Sequence, residues 1–349
     1  MPIVLYGDLG PFDSAVPSYI DAEVRPRISL TSDVLDFRNC ARKYGFYKVR
    51  GFSTASSTSE FVGTFAHRSL ERAWRLHKRA KTGPTNEEMA AILEAVRVQM
   101  INDENRKPQS WQAALLTGFR VLRLNRTLAD LGIYDGVVDC ERVLRLTTQD
   151  FVVEGVIDLI WSDGRTTSLW DYKASKDPRR TLLDPAASAR SLTAARKRLT
   201  DYAFQLMLYK HLYFQVIGAR DINCRVIFLA EIPLEARITR VTGSQVLREW
   251  LNFDAEQISQ EEWRSAEVAA LDPQTPGIIY SMASTEDLLN AAVRTFNTSA
   301  SEILGARKKD SWPAPEVQNL PDEQTCRDCD FLRSCPTAGS RTSLAGFPV

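Results

Sequence analysis

Four of the six cysteines stand where they would tie the two ends of the chain together: Cys40 near the start, and Cys326, Cys329 and Cys335 close to the end of 349 residues. The C-x-x-C-x-x-x-x-x-C run brings three thiolates to a metal centre that takes four. A distant fourth therefore closes the set and obliges both ends of the fold to meet. In a reducing compartment such a group fits a metal centre better than a disulfide framework. Zinc and iron–sulfur both accept four thiolates in a roughly tetrahedral array, and spacing leaves both open, along with four unrelated free thiols. Cys140 and Cys224 stand alone in strand-like runs and read as buried small apolar residues.

Length and composition bound the rest. The chain suffices for one large domain or two lobes sharing a core, and 44% apolar residues is ordinary for a globular protein. Lys+Arg and Asp+Glu both total 44, so attraction to nucleic acid has to come from a local patch. No basic leader with an apolar core and no membrane-length apolar run is present, which predicts a soluble, unsecreted, cytoplasmic protein without a membrane partner. There is no internal repeat, low-complexity tract, Walker A motif, helix-turn-helix or zinc-finger pattern.

Apolar periodicity predicts a helix over 29–49 with Cys40 on its inner face, and a second over 60–78 whose inner stripe includes Phe61, Phe65, His67, Leu70 and Trp74. A third starts at a Thr85/Glu88 capping box, and a fourth spans 111–131. The period then becomes extended over 137–146, 151–161 and 166–173, with Asp163-Gly164 as the turn between the last two. An irregular, arginine-rich stretch over 177–198 precedes a helix over 199–217 and strands over 224–229 and 236–241. From 243 to 306 the pattern is helical, broken at Pro273–Gly277, and a loop-like tail follows Pro313. The parts are an N-terminal helical region (1–135), an α/β core (136–242), a helical segment (243–312) and a cysteine-bearing tail (313–349), together forming one integrated domain.

The hairpin carries the chemistry. A two-residue turn pairs Ser162 with Arg165 and sets Asp158 opposite Leu169, which places Asp171 on the face of Asp158, diagonally about 7–8 Å away, and Lys173 one step beyond. Hydrolysis of a phosphodiester calls for a hard divalent ion, which prefers carboxylate oxygens, and for positive charge near the transition state. Two aspartates and a lysine supply both. A solvated surface hairpin is the plain alternative, but Val-Glu-Gly-Val-Ile-Asp-Leu-Ile-Trp and Ser-Leu-Trp-Asp-Tyr-Lys embed these charges in apolar strands, where unused charge is costly.

Gly-Val-Ile-Asp ending at Asp158, followed by Trp-Asp-Tyr-Lys ending at Lys173, resembles the core of the PD-(D/E)XK nucleases, and more closely their RecB-like branch. Gly63-x-x-x-His67 with Leu70-Glu71 resembles that branch's G-x-x-x-H helix, and Gln205-x-x-x-Tyr209 its Q-x-x-x-Y helix. Taken singly, His67 would be a core histidine and Gln205 with Tyr209 a helix surface pair; the motifs gain meaning from occurring in the branch's order. The resemblance implies a restriction-endonuclease-like α/β fold, a central mixed sheet flanked by helices, with helical insertions and an iron–sulfur-bearing tail. It assigns Mg²⁺ or Mn²⁺ to His67, Asp158, Asp171 and the backbone carbonyl of Tyr172, and makes Lys173 the catalytic lysine. Gln205 and Tyr209 would line the site and position DNA, and Glu141 corresponds to a supporting acid. The one-plus-three cysteines resemble iron–sulfur members of the branch, namely CRISPR-associated RecB-like exonucleases, the nuclease half of AddAB, and exonuclease V. That likeness implies a 4Fe-4S cluster on Cys40, Cys326, Cys329 and Cys335.

The implied activity is a metal-dependent DNA exonuclease on single strands or frayed ends, in repair, recombination or CRISPR-type processing, with a separate helicase or CRISPR integration proteins as partners. The alternative is a non-catalytic nucleic-acid-binding or scaffold subunit of a helicase–nuclease or CRISPR adaptation complex; such a chain would be expected to lose Asp171 or Lys173. Lys176, Arg179, Arg180, Arg190, Arg196, Lys197 and Arg198 form a local basic excess, either a solvated loop or a track for a phosphate backbone. Trp170, Tyr202 and Tyr209 are candidate stacking surfaces for single-stranded DNA.

Overall fold

Runs of β-branched and aromatic residues in the middle of the chain pair into one mixed sheet, and amphipathic helices cover its two faces. The computed structural model describes residues 25–52, 58–104, 106, 108, 110–234, 250, 257–272, 274–315, 325, 326, 329–332 and 335–337. Strands β1 (Arg27–Ser29), β3 (Val152–Ser162), β4 (Thr167–Lys173), β5 (Ile222–Phe228) and β6 (Ile279–Met282) lie in the order β1-β3-β4-β5-β6, and β2 (Val137–Thr147) pairs with β3 as well. The β1–β3 and β4–β5 pairs are parallel; β2–β3, β3–β4 and β5–β6 are antiparallel.

Helices α3 (Thr58–Ala80), α4 (Asn86–Asn102) and α5 (Trp111–Asp130) form one outer layer, their Phe61, Phe65, Leu93 and Phe119 sharing a core with Leu159, Trp170 and Tyr172. In the other layer, α1 (Ser32–Asn39), α7 (Ala189–Ile217) and α9 (Glu286–Lys309) pack Val34, Leu212 and Phe296 with Leu169, Val226 and Phe228. The result is the mixed α/β architecture expected, a sheet between two helical layers. The Thr85/Glu88 capping box forms as the sequence predicts. No described helix is long and apolar enough to cross a membrane.

Four expectations are corrected. The segment 29–49 is not one helix: α1 stops before Cys40, whose extended backbone (φ −167°) separates it from α2 (Ala41–Tyr44) and a π-helical turn at Gly45–Val49. The Cys40 sulfur caps α2 by accepting the Lys43 amide at 3.5 Å, so Cys40 sits at a break instead of on a helix face. The stretch 177–198 is mostly helical, with α6 at Arg179–Leu183 and α7 starting at Ala189 behind a Ser188 cap that accepts from the Ser191 amide at 3.1 Å. Good helix formers let α7 extend ten residues before 199. The region 243–306 holds, among its described residues, α8 (Gln260–Ala269), strand β6 and α9; in β6 Ile279 and Met282 are buried and the two residues between them half-buried, so its four residues show no period to be seen within a helical run. The predicted strand over 236–241 lies outside the described residues.

The fourth correction moves the hairpin register by two. Leu159 pairs with Trp170 and Ser162 with Thr167, so four residues form the loop. Asp163 explains this: its Oδ1 accepts the amides of Arg165 (2.8 Å) and Thr166 (2.7 Å), and Gly164 takes the positive φ of 85° the turn needs. One further step along this register brings Asp158 level with Asp171 instead of with Leu169.

β2 runs along one edge of β3, so β1 at Val152–Glu154 and β4 at Leu159–Ser162 must share the other. Between them, residues 155–158 carry no strand pairing on that side, and α7 closes against the opening. A Cβ on Gly155 would lie 2.8 Å from Leu30 Cδ1, 2.9 Å from Leu212 Cδ2 and 3.3 Å from Tyr209 Cε1. Gly155→Ala is therefore expected to cost about 1–3 kcal/mol in denaturant unfolding; an unchanged midpoint would show that α7 yields freely.

Candidate active site

The opening beside β3 lets helices from opposite layers reach the same carboxylates. Leu169 packs on the α7 side of β4 while Trp170 and Tyr172 pack on the α3 side, so alternation turns Asp171 toward α7. Asp158 lies one step beyond the last paired residue of the hairpin, Leu159, and its Oδ2 accepts the Tyr172 amide at 2.7 Å in place of a ladder bond. From α3, His67 Nε2 lies 2.8 Å from the Tyr172 carbonyl, while Nδ1 lies 3.4 Å from Asp158 Oδ1 and 3.5 Å from Glu141 Oε1.

Glu141 reaches this point through an unusual backbone. Its φ of 50° falls in the left-handed region that non-glycine residues rarely occupy, and pairing to β3 is interrupted there, between Cys140↔Leu159 and Arg142↔Ile157. His67, Glu141 and Asp158 each offer a ligand atom within 4.8 Å of the others, a set suited to a hard divalent ion. Sequence reasoning gave Glu141 only a supporting place; its position facing Asp158 across the β2–β3 pair was the available signal, hidden because the break in pairing is not legible in residue types.

Asp171 faces a second group. Lys173 Nζ lies 2.7 Å from Asp171 Oδ2, Gln205 Nε2 donates to Asp171 Oδ1 at 2.6 Å, and Lys173 donates to Gln205 Oε1 at 3.1 Å. Gln205 also donates to the Tyr209 hydroxyl at 3.2 Å, one turn along α7. Tyr202 is not a free stacking platform: its ring centroid lies 5.0 Å from Lys173 Nζ. Trp170 is buried at 2% exposure, and Tyr209 at 4%, so neither presents a ring face to solvent. All the motif residues thus converge, as two adjoining groups that meet across Asp158 and Asp171.

Burial opposes charge on His67, yet Asp158, Glu141 and Asp171 outweigh it and hold the imidazole pKa well above its usual value. Burial likewise works against ionised Asp158, but His67, Lys173 and the Tyr172 amide keep its carboxyl below the ordinary range. Burial, reinforced by the Asp158 charge, pushes Asp171 up to about 6 against the pull of Lys173. Burial opposes the charge on Lys173 too, but Asp171 and Asp158 raise its pKa, so it is an ammonium at neutral pH.

The basic stretch shrinks on inspection. Arg179 is buried and paired with Asp177 at 2.6 Å, Arg180 with Glu231 at 2.6 Å and Lys197 with Asp201 at 2.7 Å. The cysteines do meet: Cys40, Cys326, Cys329 and Cys335 line one cavity with Phe46 and Leu332. Phe46 stacks on Phe331 at 4.1 Å between ring centroids, and the Tyr47 hydroxyl donates to Asp330 Oδ2 at 2.8 Å while accepting the Asp330 amide at 3.1 Å.

The family model of the PD-(D/E)XK nuclease superfamily matches residues 31–336, nearly the whole chain and every motif above. The chain belongs to the PD-(D/E)XK nuclease superfamily. No curated protein matches it. A solved structure described as "Crystal structure of SSO0001" aligns with 85% of this chain and 95% of its own at 11% identity, with a TM-score of 0.28, a likeness too slight to argue from. Nucleases of this superfamily use divalent metals, and the His67, Glu141 and Asp158 group is a possible site for one.

Because a metal takes only unprotonated ligands, binding should release protons from His67 and, below about pH 6, from Asp171. Mn²⁺ affinity measured by calorimetry is therefore expected to weaken as pH falls from the alkaline side, where His67 takes up its proton, and more steeply below about 6, where Asp171 does, with net proton release in buffers of differing ionisation enthalpy. Affinity independent of pH between 5 and 8 would remove these two side chains from the ligand set.

Proposed function

We propose that this chain is a Mg²⁺- or Mn²⁺-dependent deoxyribonuclease of the RecB-like branch, acting exonucleolytically on single-stranded DNA or frayed ends, with a 4Fe-4S cluster on its four convergent cysteines. The observation that carries the catalytic part is the Lys173 ammonium, held between Asp171 and Gln205 beside the His67, Glu141 and Asp158 group. A bound divalent ion would supply an activated water and offset charge on the phosphate undergoing attack. His67, Asp158 and Glu141, with the Tyr172 carbonyl and Asp171 alongside, would hold it. Lys173 adds positive charge where the pentavalent phosphate develops negative charge, and Gln205 keeps that ammonium aimed. Tyr209, buried behind Gln205, fixes the amide's orientation. Retention of both Asp171 and Lys173 favours an enzyme over a non-cleaving scaffold.

For the cysteines, all four line one cavity, as a shared four-thiolate centre requires. The choice of an iron–sulfur cluster over zinc rests on the resemblance of the one-plus-three spacing to iron–sulfur members of the branch. The test is anaerobic purification, a visible spectrum with iron and zinc analysis, and incubation of end-labelled single-stranded and duplex DNA with Mg²⁺ or Mn²⁺. Metal-dependent shortening of the single strand is expected; intact DNA under all conditions would reject the enzyme, and zinc without iron would reject the cluster.

A further inference from the structure

We propose that Arg198 binds a backbone phosphate of the polynucleotide one or two nucleotides from the bond being cut. The ligand's identity rests on the nuclease reading; the placement rests on α7 alone. Seven residues separate Arg198 from Gln205, two turns less 20°, so both lie on one stripe of the helix, about 10 Å apart. Tyr202, which covers Lys173, stands between them on the same stripe.

Exposure rises steadily along that stripe: Tyr209 is 4% exposed and Gln205 9%, Tyr202 is half-buried and Arg198 exposed. The gradient marks the direction in which the site opens, and Arg198 stands at its mouth. An extended strand with one phosphate at Lys173 and the carboxylates would carry its next phosphates past the first half of α7, where about 10 Å spans one or two nucleotides. The nearest acid on this stretch, Asp201, is engaged by Lys197 at 2.7 Å and does not neutralise the mouth. Arg179 and Arg180, which sequence alone groups with Arg198, are spent on Asp177 and Glu231.

Arg196 provides the control. It is as exposed as Arg198 and two residues away, but nine residues from Gln205, two and a half turns, so it lies on the opposite face of α7. Affinity for an end-labelled oligothymidylate is measured by fluorescence anisotropy in EDTA over a salt series, on the full chain. Arg198→Gln is expected to weaken binding about threefold to tenfold and to reduce the log–log salt slope by about 0.7, the share of one single-strand phosphate. Arg198→Lys should recover part of the loss, and Arg196→Gln should match wild type. Equal losses from Arg198→Gln and Arg196→Gln, or no loss from either, would overturn the proposal. Failure of the nuclease reading would appear separately, as cleavage in Mn²⁺ that is absent or insensitive to Asp171→Ala, without bearing on the difference between the two arginines.

Discussion

Asp171→Ala is expected to lower Mg²⁺-dependent cleavage of single-stranded DNA by about a thousandfold or more while leaving the protein folded. Asp171 sits at the junction of the two halves of the site: it fixes Lys173 at 2.7 Å and Gln205 at 2.6 Å, and faces the group around Asp158. Removing it takes away a carboxylate beside the metal group and loosens the ammonium together. The fold should tolerate this, because burial already works against the ionised carboxyl, and the Lys173 side chain, 21% exposed, can rehydrate. Thermal denaturation should shift by no more than about 2 kcal/mol equivalent. Lys173→Met should match the loss in rate but keep Mn²⁺ binding, since it removes charge and not a ligand. Wild-type rates from Asp171→Ala would trace the cleavage to a contaminant.

The second large effect concerns the cysteines. Replacing any one of Cys40, Cys326, Cys329 or Cys335 by serine is expected to abolish the visible iron–sulfur absorbance and to lower the melting temperature by about 10 °C or more. Serine nearly matches cysteine in size, so packing changes little and the loss reports the metal bonds. Among the described residues, the contacts of the cysteine-bearing tail with the N-terminal segment include Phe46 on Phe331 and Tyr47 with Asp330, between partly exposed side chains that contribute less than metal–sulfur bonds would. The four variants should resemble one another, because three thiolates do not complete the cluster. A variant that keeps wild-type stability and loses only colour would show that the ends are held by protein contacts alone.

Much of this was legible in residue types. The alternation in β3 and β4, the capping box at Thr85 and the order of the motifs place the strands, α4 and the site. What escaped the sequence depends on side chains acting on backbone. Asp163 lengthens the hairpin loop by accepting two amides, and so brings Asp158 level with Asp171, where the Asp163-Gly164 turn signal alone set it opposite Leu169. The left-handed backbone of Glu141 has no signature in its neighbours, so a carboxylate beside the proposed metal could not be told from an exposed strand residue. β6 was invisible because four residues do not establish a period. The arginines after β4 read as a patch, since pairing with Asp177 and Glu231 depends on long-range folding.

The three-residue strand β1 has a role out of proportion to its length. It covers the edge of β3 beyond the catalytic opening, with Val152 donating to Pro26 and Leu30 to Glu154, while Arg307 from the end of α9 occupies the Arg27 carbonyl on its outer side. An uncovered strand edge next to an opening in a sheet is a template on which another chain can add a strand. β1 and Arg307 thus leave fewer free backbone groups for such a strand along this stretch of the sheet.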